Sequence, residues 1–551
     1  MKKRYRIAAA LLALALLAGC SNPGGGTSSE GGSSSETTSA SESSGETSQV
    51  AAEPGEVTLP LVDEKTTLTM WTPMDSNSSA IIDSMGDSEF FKELEERTNV
   101  HIEFDHPAVG NETQAFNLMI SSGELPDMIK TSAGYEYPDG LDAAVNDGYF
   151  MDLTELAPQY LPNYLAAMEM YSEYDENFRR ACYTNEGRLV AVAQVMNEPQ
   201  GPFVGLYVRQ DWLDDAGLDV PVTYDDWEEM LTTFKDKFGA TSPLILPSLG
   251  YDSTCNSLNG GFGIGTSFYQ EDGVIKFGPI EPGWKDYITL MKDWYAKGLI
   301  DPDFMTGEVW PDEAMISTGK TGAFISMYTL IAMYEGANED PDATYVPVSA
   351  PKLNEGDTVK FNLYGIAGGS GLVLSAQNKN PELSLRWIDY LFSEEGSTFA
   401  NYGIEGDTFE YNEEGEPEYT DKITANPDGL SFSQAMAIYT MPPARVCLQH
   451  WTRELASVPE KDLISYEIWP EATTENCIPS TSAMGMTVDE NAEYAQIMAD
   501  VNTLIEERTA QFITGSVSMD EFDTFVESLH SLNIERAIEL VQTVYDRFME
   551  K

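Results

Sequence analysis

Cations are scarce in this 551-residue chain: 31 Lys and Arg stand against 91 Asp and Glu, a formal net charge of −60. A surface that acidic repels polyphosphate, which excludes nucleic-acid binding. Histidine is scarcer still: His101, His106, His450 and His530 are the whole set, with no H-E-x-x-H pair for metal-assisted hydrolysis. The five cysteines include no C-x-x-C, and Cys182, Cys255, Cys447 and Cys477 lie too far apart to give a zinc spacing. One or two disulfides, or four buried thiols, are the alternatives. No apolar run is long enough to span a bilayer. No G-x-S-x-G elbow occurs, and "GGSG" around Ser370 has the spacing of a backbone turn. The glycines of "NGGFGIGTSF" lack the P-loop lysine. "YQEDGVIKFG" has too few alternating acids for a calcium loop and reads as a hairpin with a Gly turn. Among so many carboxylates no pair stands out as a catalytic acid and base.

What is present begins at the N-terminus. Lys2, Lys3, Arg4 and Arg6 precede an apolar stretch from Ile7 to Ala18, and the run ends in Leu17, Ala18, Gly19, Cys20. That order resembles a signal peptide closed by the bacterial lipobox, which makes Cys20 the lipidated first residue of the mature protein. The alternative is an ordinary cleaved signal peptide with a chance cysteine. From Ser21 to Gln49, 25 of 29 residues are Ser, Gly, Thr or Glu, and such a stretch cannot offset its ordering entropy by burial. As a flexible coil, residues 21–56 would span about 33 Å. The reading is a lipid anchor, a tether and then a working region outside the cytoplasmic membrane.

From Lys65 onward helix and strand signals alternate. "TLTMW" is a strand ending at the loop "TPMDSN". In "SEFFKELEERTNVHIEFDH", Ser88 caps a helix whose apolar face is Phe90, Phe91 and Leu94; Asn99 suits its left-handed stop, and Val100, Ile102 and Phe104 alternate as a strand. His101 there reads as the solvated partner of an acid. A helix around "ETQAFNLMISSG", the turn "ELPD" and the strand "MIK" follow, with Asp127 as a turn or cap residue. The succession predicts an α/β fold. Thr223 and Asp226 have the spacing of a capping box, as do Ser518 and Glu521; a helix through Tyr494, Ile497, Val501, Leu504 and Phe512 is predicted to stop at Gly515.

The order "EERTNVHIEF", "FNLMISSGELPDMI", "MDLTELAPQYLPN", "GLYVRQDWLDDAGLDVPVTYDDWEEML", "WYAKGLIDPDF", "STGKTGAF" and "LRWIDYLFSEEGS" resembles the family 1 extracellular solute-binding proteins of ABC importers, in particular the LipO-like lipoproteins of Gram-positive bacteria. The resemblance runs from about Thr66 to the C-terminus. It implies a two-lobed, periplasmic-binding-protein-like fold with a ligand cleft between lobes joined by a multi-strand hinge. It also implies a division into signal peptide (1–19), lipidated Cys20 with a disordered tether (20–63), lobe one (64–193 with 342–428) and lobe two (194–341 with 429–551).

Ligands of open α/β sheets bind in loops beyond the carboxyl ends of strands. Sugars need flat apolar faces and a few fixed polar groups. Trp71, Asp75, Tyr135, Tyr251 and Tyr328 hold such places and resemble contact positions in the maltose-binding branch of the family; Tyr364, before "GIAGGSG", is a further candidate. For each aromatic the alternative is a core or lobe-surface residue. The expected function is capture of a carbohydrate, an oligosaccharide in the first instance, and its delivery to permease subunits by a lipid-anchored monomer facing outside, without catalytic residues, metal or cofactor. Two rivals stand beside it: a surface glycan hydrolase with two carboxylates flanking a sugar, and a solute binder feeding a sensor kinase.

Overall fold

The computed structural model describes residues 52–132, 136–199, 202, 204–246, 258–306, 313–360, 371–441, 446–456, 458–471 and 474–551. Its first unit is strand β1 (Thr66–Trp71), a helix (Glu89–Thr98) and strand β2 (Val100–Asp105), with β1 and β2 parallel. The Ser88 hydroxyl accepts the Phe91 amide at 3.2 Å, and Asn99 stops the helix at φ 61°, as the spacing predicts. Phe90, Phe91 and Leu94 turn inward onto the sheet, and burying a phenylalanine of this kind contributes about 1.5–3 kcal/mol. His101 meets Glu95 at 2.6 Å on the solvent side. After the helix Glu112–Ser122 comes β3 (Met128–Lys130), parallel to β1. Asp127 ties the two strands together: its carboxylate accepts the Thr69 amide at 2.8 Å and the Thr69 hydroxyl at 2.9 Å, while its own amide donates to that hydroxyl at 2.9 Å.

Farther along come β4 (Ala191–Val192), β5 (Val195–Met196), β6 (Val204–Arg209), β7 (Leu244–Ile245), the hairpin β8 (Phe268–Glu271) and β9 (Val274–Phe277), β10 (Ala323–Met327), β11 (Tyr345–Val348), β12 (Leu372–Leu374), a second hairpin β13 (Phe409–Tyr411) and β14 (Pro417–Tyr419), and β15 (Leu448–Gln449). One sheet has the order β2-β1-β3-β12-β4 and a second the order β11-β6-β10-β7. The β8/β9 hairpin turns through Asp272 and Gly273, both at positive φ, which glycine adopts without a steric penalty.

Each sheet has its own core. The first gathers Leu68, Met70, Met128, Trp387, Tyr390 and Cys182, and burial pushes the Cys182 thiol up to about 12. The second gathers Trp227, Phe234, Trp284 and Trp294 with Val501 and Phe512 from the long helix Val488–Ile513. The Thr223 and Asp226 capping box forms, and Gly515 follows the long helix at φ 72°. Ser518 and Glu521 do not form theirs. Ser518 accepts instead from the Asp520 amide at 3.2 Å, because the chain there makes a 3-10 turn before the helix Phe522–Ser531.

Near two of the expected lobe boundaries, pairing and packing run across the expected division. β11 pairs with β6, so residues 345–348 belong to the second sheet although the crossover was expected at 342. Met441, Val446, Cys447 and Trp451 lie in the first core, well past the expected boundary at 428. The physical reason is the same in both places. A short apolar run such as "YVPV" or "VCLQHW" fits either sheet, and long-range pairing decides which.

A box absent from the sequence reading holds the long helix to the C-terminal one (Ile534–Met549). The Arg547 guanidinium donates to both Glu490 oxygens at 3.0 and 2.8 Å, and the Thr487 amide adds 2.9 Å. Arg547, with the Thr487 cap, holds the Glu490 carboxyl down to about 2. A depressed carboxyl contributes stability that is full above its unfolded pKa near 4.5 and lost as pH falls toward 2. Because the pair is partly solvated, about 1 kcal/mol is expected. Glu490→Gln should lower stability by that amount at pH 7 and flatten the decline between pH 4.5 and 2 in urea titrations; an unchanged acid limb would refute the assignment.

Candidate functional site

Strand register locates, in each sheet, the edge from which the connecting segments depart. In the first sheet Trp71 pairs with Ile129, Lys130 with Leu372, and Leu372 with Val192. The carboxyl ends of β1 and β3 therefore share one edge with the end of β4 and the start of β12. In the second sheet Met327 pairs with Val204, Val348 with Leu206, and Ile245 with Phe324. There the ends of β7, β10 and β11 share an edge with the start of β6. The links 192–204 and 348–372 run from one edge to the other. A third crossing, through β15, is paired in parallel with β5.

That pairing is reinforced by polar side chains. Gln449, 1% exposed, accepts a hydrogen bond from the Gln194 side-chain amide and donates one to Glu454. The Asn197 amide donates to the Gln449 carbonyl at 2.9 Å, and Asn197 Oδ1 accepts the Trp451 amide at 2.9 Å. Asn401, from the first lobe's helix Glu394–Tyr402, donates to the Leu448 carbonyl at 2.9 Å and accepts the His450 amide at 3.1 Å. Burial, with the nearby Arg453 cation, pushes His450 down to about 4, so its imidazole is neutral at physiological pH.

Of the six candidate ligand residues, three stand among the described residues. Trp71 ends β1 at 2% exposure, its ring edge-on to Phe116 at 5.7 Å. Asp75 caps the short helix Ser76–Ser79, its carboxylate taken by the Asn77 and Ser78 amides and the Ser78 hydroxyl. Tyr328 follows β10 at 1% exposure, its ring edge-on to Tyr466 at 5.1 Å, and burial raises its phenol. Tyr135, Tyr251 and Tyr364 lie outside the described residues, as do Cys20 and Cys255. Trp71 and Tyr328 thus occupy, in each sheet, the edge from which the connecting segments depart, and both rings are packed against protein neighbours.

Residues that sequence reasoning passed over complete the edge of the second sheet. Trp451 stands edge-on to Tyr466 at 5.5 Å, so the rings of Trp451, Tyr466 and Tyr328 run in series from the first core to the second sheet. Trp469 lies edge-on to Tyr207 at 5.4 Å and covers Gly205, where a Cβ would sit 2.2 Å from the indole. The aromatics of "HWTREL" and "ISYEIWP" were visible, but nothing local says that they fold back onto β6 and β10. At the first sheet's edge, Thr131 and Gly371 exchange three hydrogen bonds of 2.8 to 3.2 Å beside Lys130.

Two sheets with separate cores, joined by three chain crossings, define a two-lobed, periplasmic-binding-protein-like fold. The chain belongs to the bacterial extracellular solute-binding proteins, whose family model matches residues 84–398, more than half of its length. It is 24% identical over 520 residues to the fructooligosaccharide ABC transporter substrate-binding protein FusA of Streptococcus pneumoniae serotype 4, covering 89% of this chain and 92% of that one. It is 25% identical over 458 residues to lipoprotein LipO of Bacillus subtilis, covering 80% and 85%. In structure it resembles an extracellular solute-binding protein of Bifidobacterium longum subsp. infantis, with a TM-score of 0.68 at 20% identity over 88% of this chain and 98% of that one.

The packing of Trp469 on β6 gives a direct test. Gly205→Ala should destabilise the protein by about 1–3 kcal/mol through overpacking. In combination with Trp469→Ala its cost should shrink, measured by urea denaturation as a double-mutant cycle. Additive costs would mean that the indole does not lie over this strand.

Proposed function

We propose that this chain is the substrate-binding lipoprotein of an ABC importer, which captures an oligosaccharide between its two lobes and delivers it to the membrane permease. The observation that carries the reading is the register: both sheets turn strand-end edges bearing Trp71 and Tyr328 toward the links that join them. A cleft at such edges is where α/β sheets take ligands, and closure about a few linking residues is the motion such folds use. The carbohydrate name of FusA, a relative along nearly the whole chain, supports sugar as the ligand class. In this reading lobe one comprises residues 52–193 and about 371–455, lobe two 204–348 and 458–551, and Trp71, Asp75, Tyr135, Tyr251, Tyr328 and Tyr364 surround the ligand. Trp71 and Tyr328 serve as the floor on either side, with ring faces that become available as the lobes move. Cys20 carries the lipid and the protein works as a monomer at the cell surface; the tether is shorter than the expected 20–63, ending before residue 52, because Val57, Leu59 and Leu61 pack on the first core and the Leu61 amide donates to the Thr98 carbonyl at 3.0 Å.

Thermal unfolding of the protein against mono- and oligosaccharides, amino acids and short peptides tests the cargo. A ligand at 100 times its Kd adds about 2.7 kcal/mol of apparent stability. A shift confined to one sugar class, lost in Tyr328→Ala, is the expected result; a shift with peptides alone would overturn the substrate class. Release of reducing ends from a bound glycan would instead favour a hydrolase. For the anchor, Cys20→Ser should abolish incorporation of labelled palmitate and release the protein into the medium; labelling that survives the substitution would place the lipid elsewhere.

A further inference from the structure

Cations are rare in this chain, and several of the partly buried ones have found acids, whereas Arg453 bonds Thr440 and the Met441 carbonyl and Lys551 bonds the Tyr183 carbonyl. Arg97 bonds Glu93 at 2.9 Å, Arg188 bonds Glu186 at 2.6 Å, Arg209 bonds Asp211 and Asp340 at 2.5 and 3.0 Å, and Lys276 bonds Glu271 at 2.6 Å. Lys130 too has no acid partner among the described residues, and of Arg453, Lys551 and Lys130 it alone ends a strand of the first sheet. It is the last residue of β3, in the middle of the first sheet, and among the described residues its one polar partner is the carbonyl of the next residue, Thr131, at 3.1 Å. That bond holds the ammonium beside the carboxyl end of the strand. Burial lowers its pKa to about 8, with no carboxylate contributing to hold the proton.

Among the described residues, the first acid after β1 and the one just before β3 are already engaged. Asp75 spends its carboxylate on its own helix cap, and Asp127 spends its own on Thr69. Behind Lys130 the backbone is locked: Thr131 and Gly371 hold each other through three hydrogen bonds, and a Cβ at Gly371 would meet the Val192 carbonyl at 2.4 Å. The ammonium therefore stands on a rigid part of the sheet. A charge withdrawn from water without a counter-ion is costly, and in a chain with 91 acids a partner would have been easy to supply. The chain's overall negative field does not decide the matter, since at physiological ionic strength it is screened beyond about 8 Å.

We propose that Lys130 is a ligand-contacting residue that receives a sugar carboxylate, so that the cargo is an acidic, uronate-bearing oligosaccharide rather than a neutral one. This rests on the carbohydrate reading of the same cleft. A buried ammonium is then neutralised by the ligand, and the neutral form of the same ligand leaves it unpaired, which is how one charge discriminates strongly between two sugars of equal size.

The experiment is calorimetric titration of the full mature protein with a galacturonate trimer, its methyl ester, a neutral maltotriose and a sulfated, carboxylate-free trisaccharide. The galacturonate trimer should bind at least tenfold more tightly than its ester. Lys130→Met should erase that preference and Lys130→Arg should keep it, with unfolding curves showing that both variants are folded. An equal affinity for acid and ester, or a Lys130→Met variant that still prefers the acid, overturns the proposal while leaving carbohydrate binding intact. Equal binding of the sulfated sugar overturns the carboxylate assignment. Failure of every carbohydrate, alongside a response to peptides or another solute, overturns the carbohydrate reading and this proposal with it.

Discussion

The chain crosses between its two sheets, and two of those crossings are held side by side by the short parallel pair β5 and β15. Two residues on each strand supply few ladder bonds, so the join depends on side chains. Gln449 is buried between Gln194 and Glu454, Asn197 bonds the backbone on both sides of His450, and Asn401 reaches in from the first lobe. Buried amides of this kind must be satisfied, and each missing partner costs about 1–3 kcal/mol. The network consequently fixes the register of two crossings that local sequence would leave free to slip. With that register set, the ends of β1 and β3 and the ends of β7 and β10 lie at the edges from which the linkers depart. The cleft is a consequence of this pairing.

A second set of contacts limits how the lobes can move. The C-terminal helix and the segment before the long helix pack on the first lobe: Met484, Val541, Val544 and Phe548 surround Ala181, Asn185 bonds the Gly485 carbonyl at 2.5 Å, and Lys551 bonds the Tyr183 carbonyl at 3.0 Å. Together with the β5/β15 pair this gives two points of attachment. A body held at two points retains rotation about the line through them and loses most other freedom. Opening and closing is then a hinge motion, absorbed by a few residues at element ends. The rings of Trp451, Tyr466 and Tyr328 cross from one core to the other, so rotation must slide edge-to-face contacts worth about 0.5–1.5 kcal/mol each, well within what a ligand can repay.

Local signals carried much of this fold. Ser88 and Asn99, at the two ends of one helix, and the Thr223 and Asp226 box were legible because a cap depends on residues three or four positions apart. The role of Asp127 as a fastener was legible as a turn, though its partner Thr69, 58 residues away, was not. What failed was long-range. Ser518 was read as a box because its spacing fits, yet the chain chose a 3-10 turn; β11 and "VCLQHW" pair and pack across the expected division because pairing and core membership are set by strands distant in sequence. At the candidate site, Trp71 and Tyr328 could be placed by strand ends, whereas Tyr466 and Trp469 could not, since nothing near them marks a return to the cleft edge.

The same division bears on specificity. Scaffold positions are constrained by neighbours in their own element, so their patterns persist in any chain that folds this way, and a family likeness reads them first. A ligand contact is constrained only by the ligand. The proposed contacts Trp71 and Lys130 are the last residues of β1 and β3, where the sheet holds the backbone in place. What such a residue can do is settled by what its neighbours leave unsatisfied. Around β1 and β3, among the described residues, Asp75 and Asp127 are consumed by a cap and a turn and the hydroxyl of Thr131 by Gly371, while the Lys130 ammonium bonds the Thr131 carbonyl and no carboxylate. The chemistry of the edge is thus written by subtraction: the fold uses the groups it needs, and what it leaves over defines what the cleft can recognise.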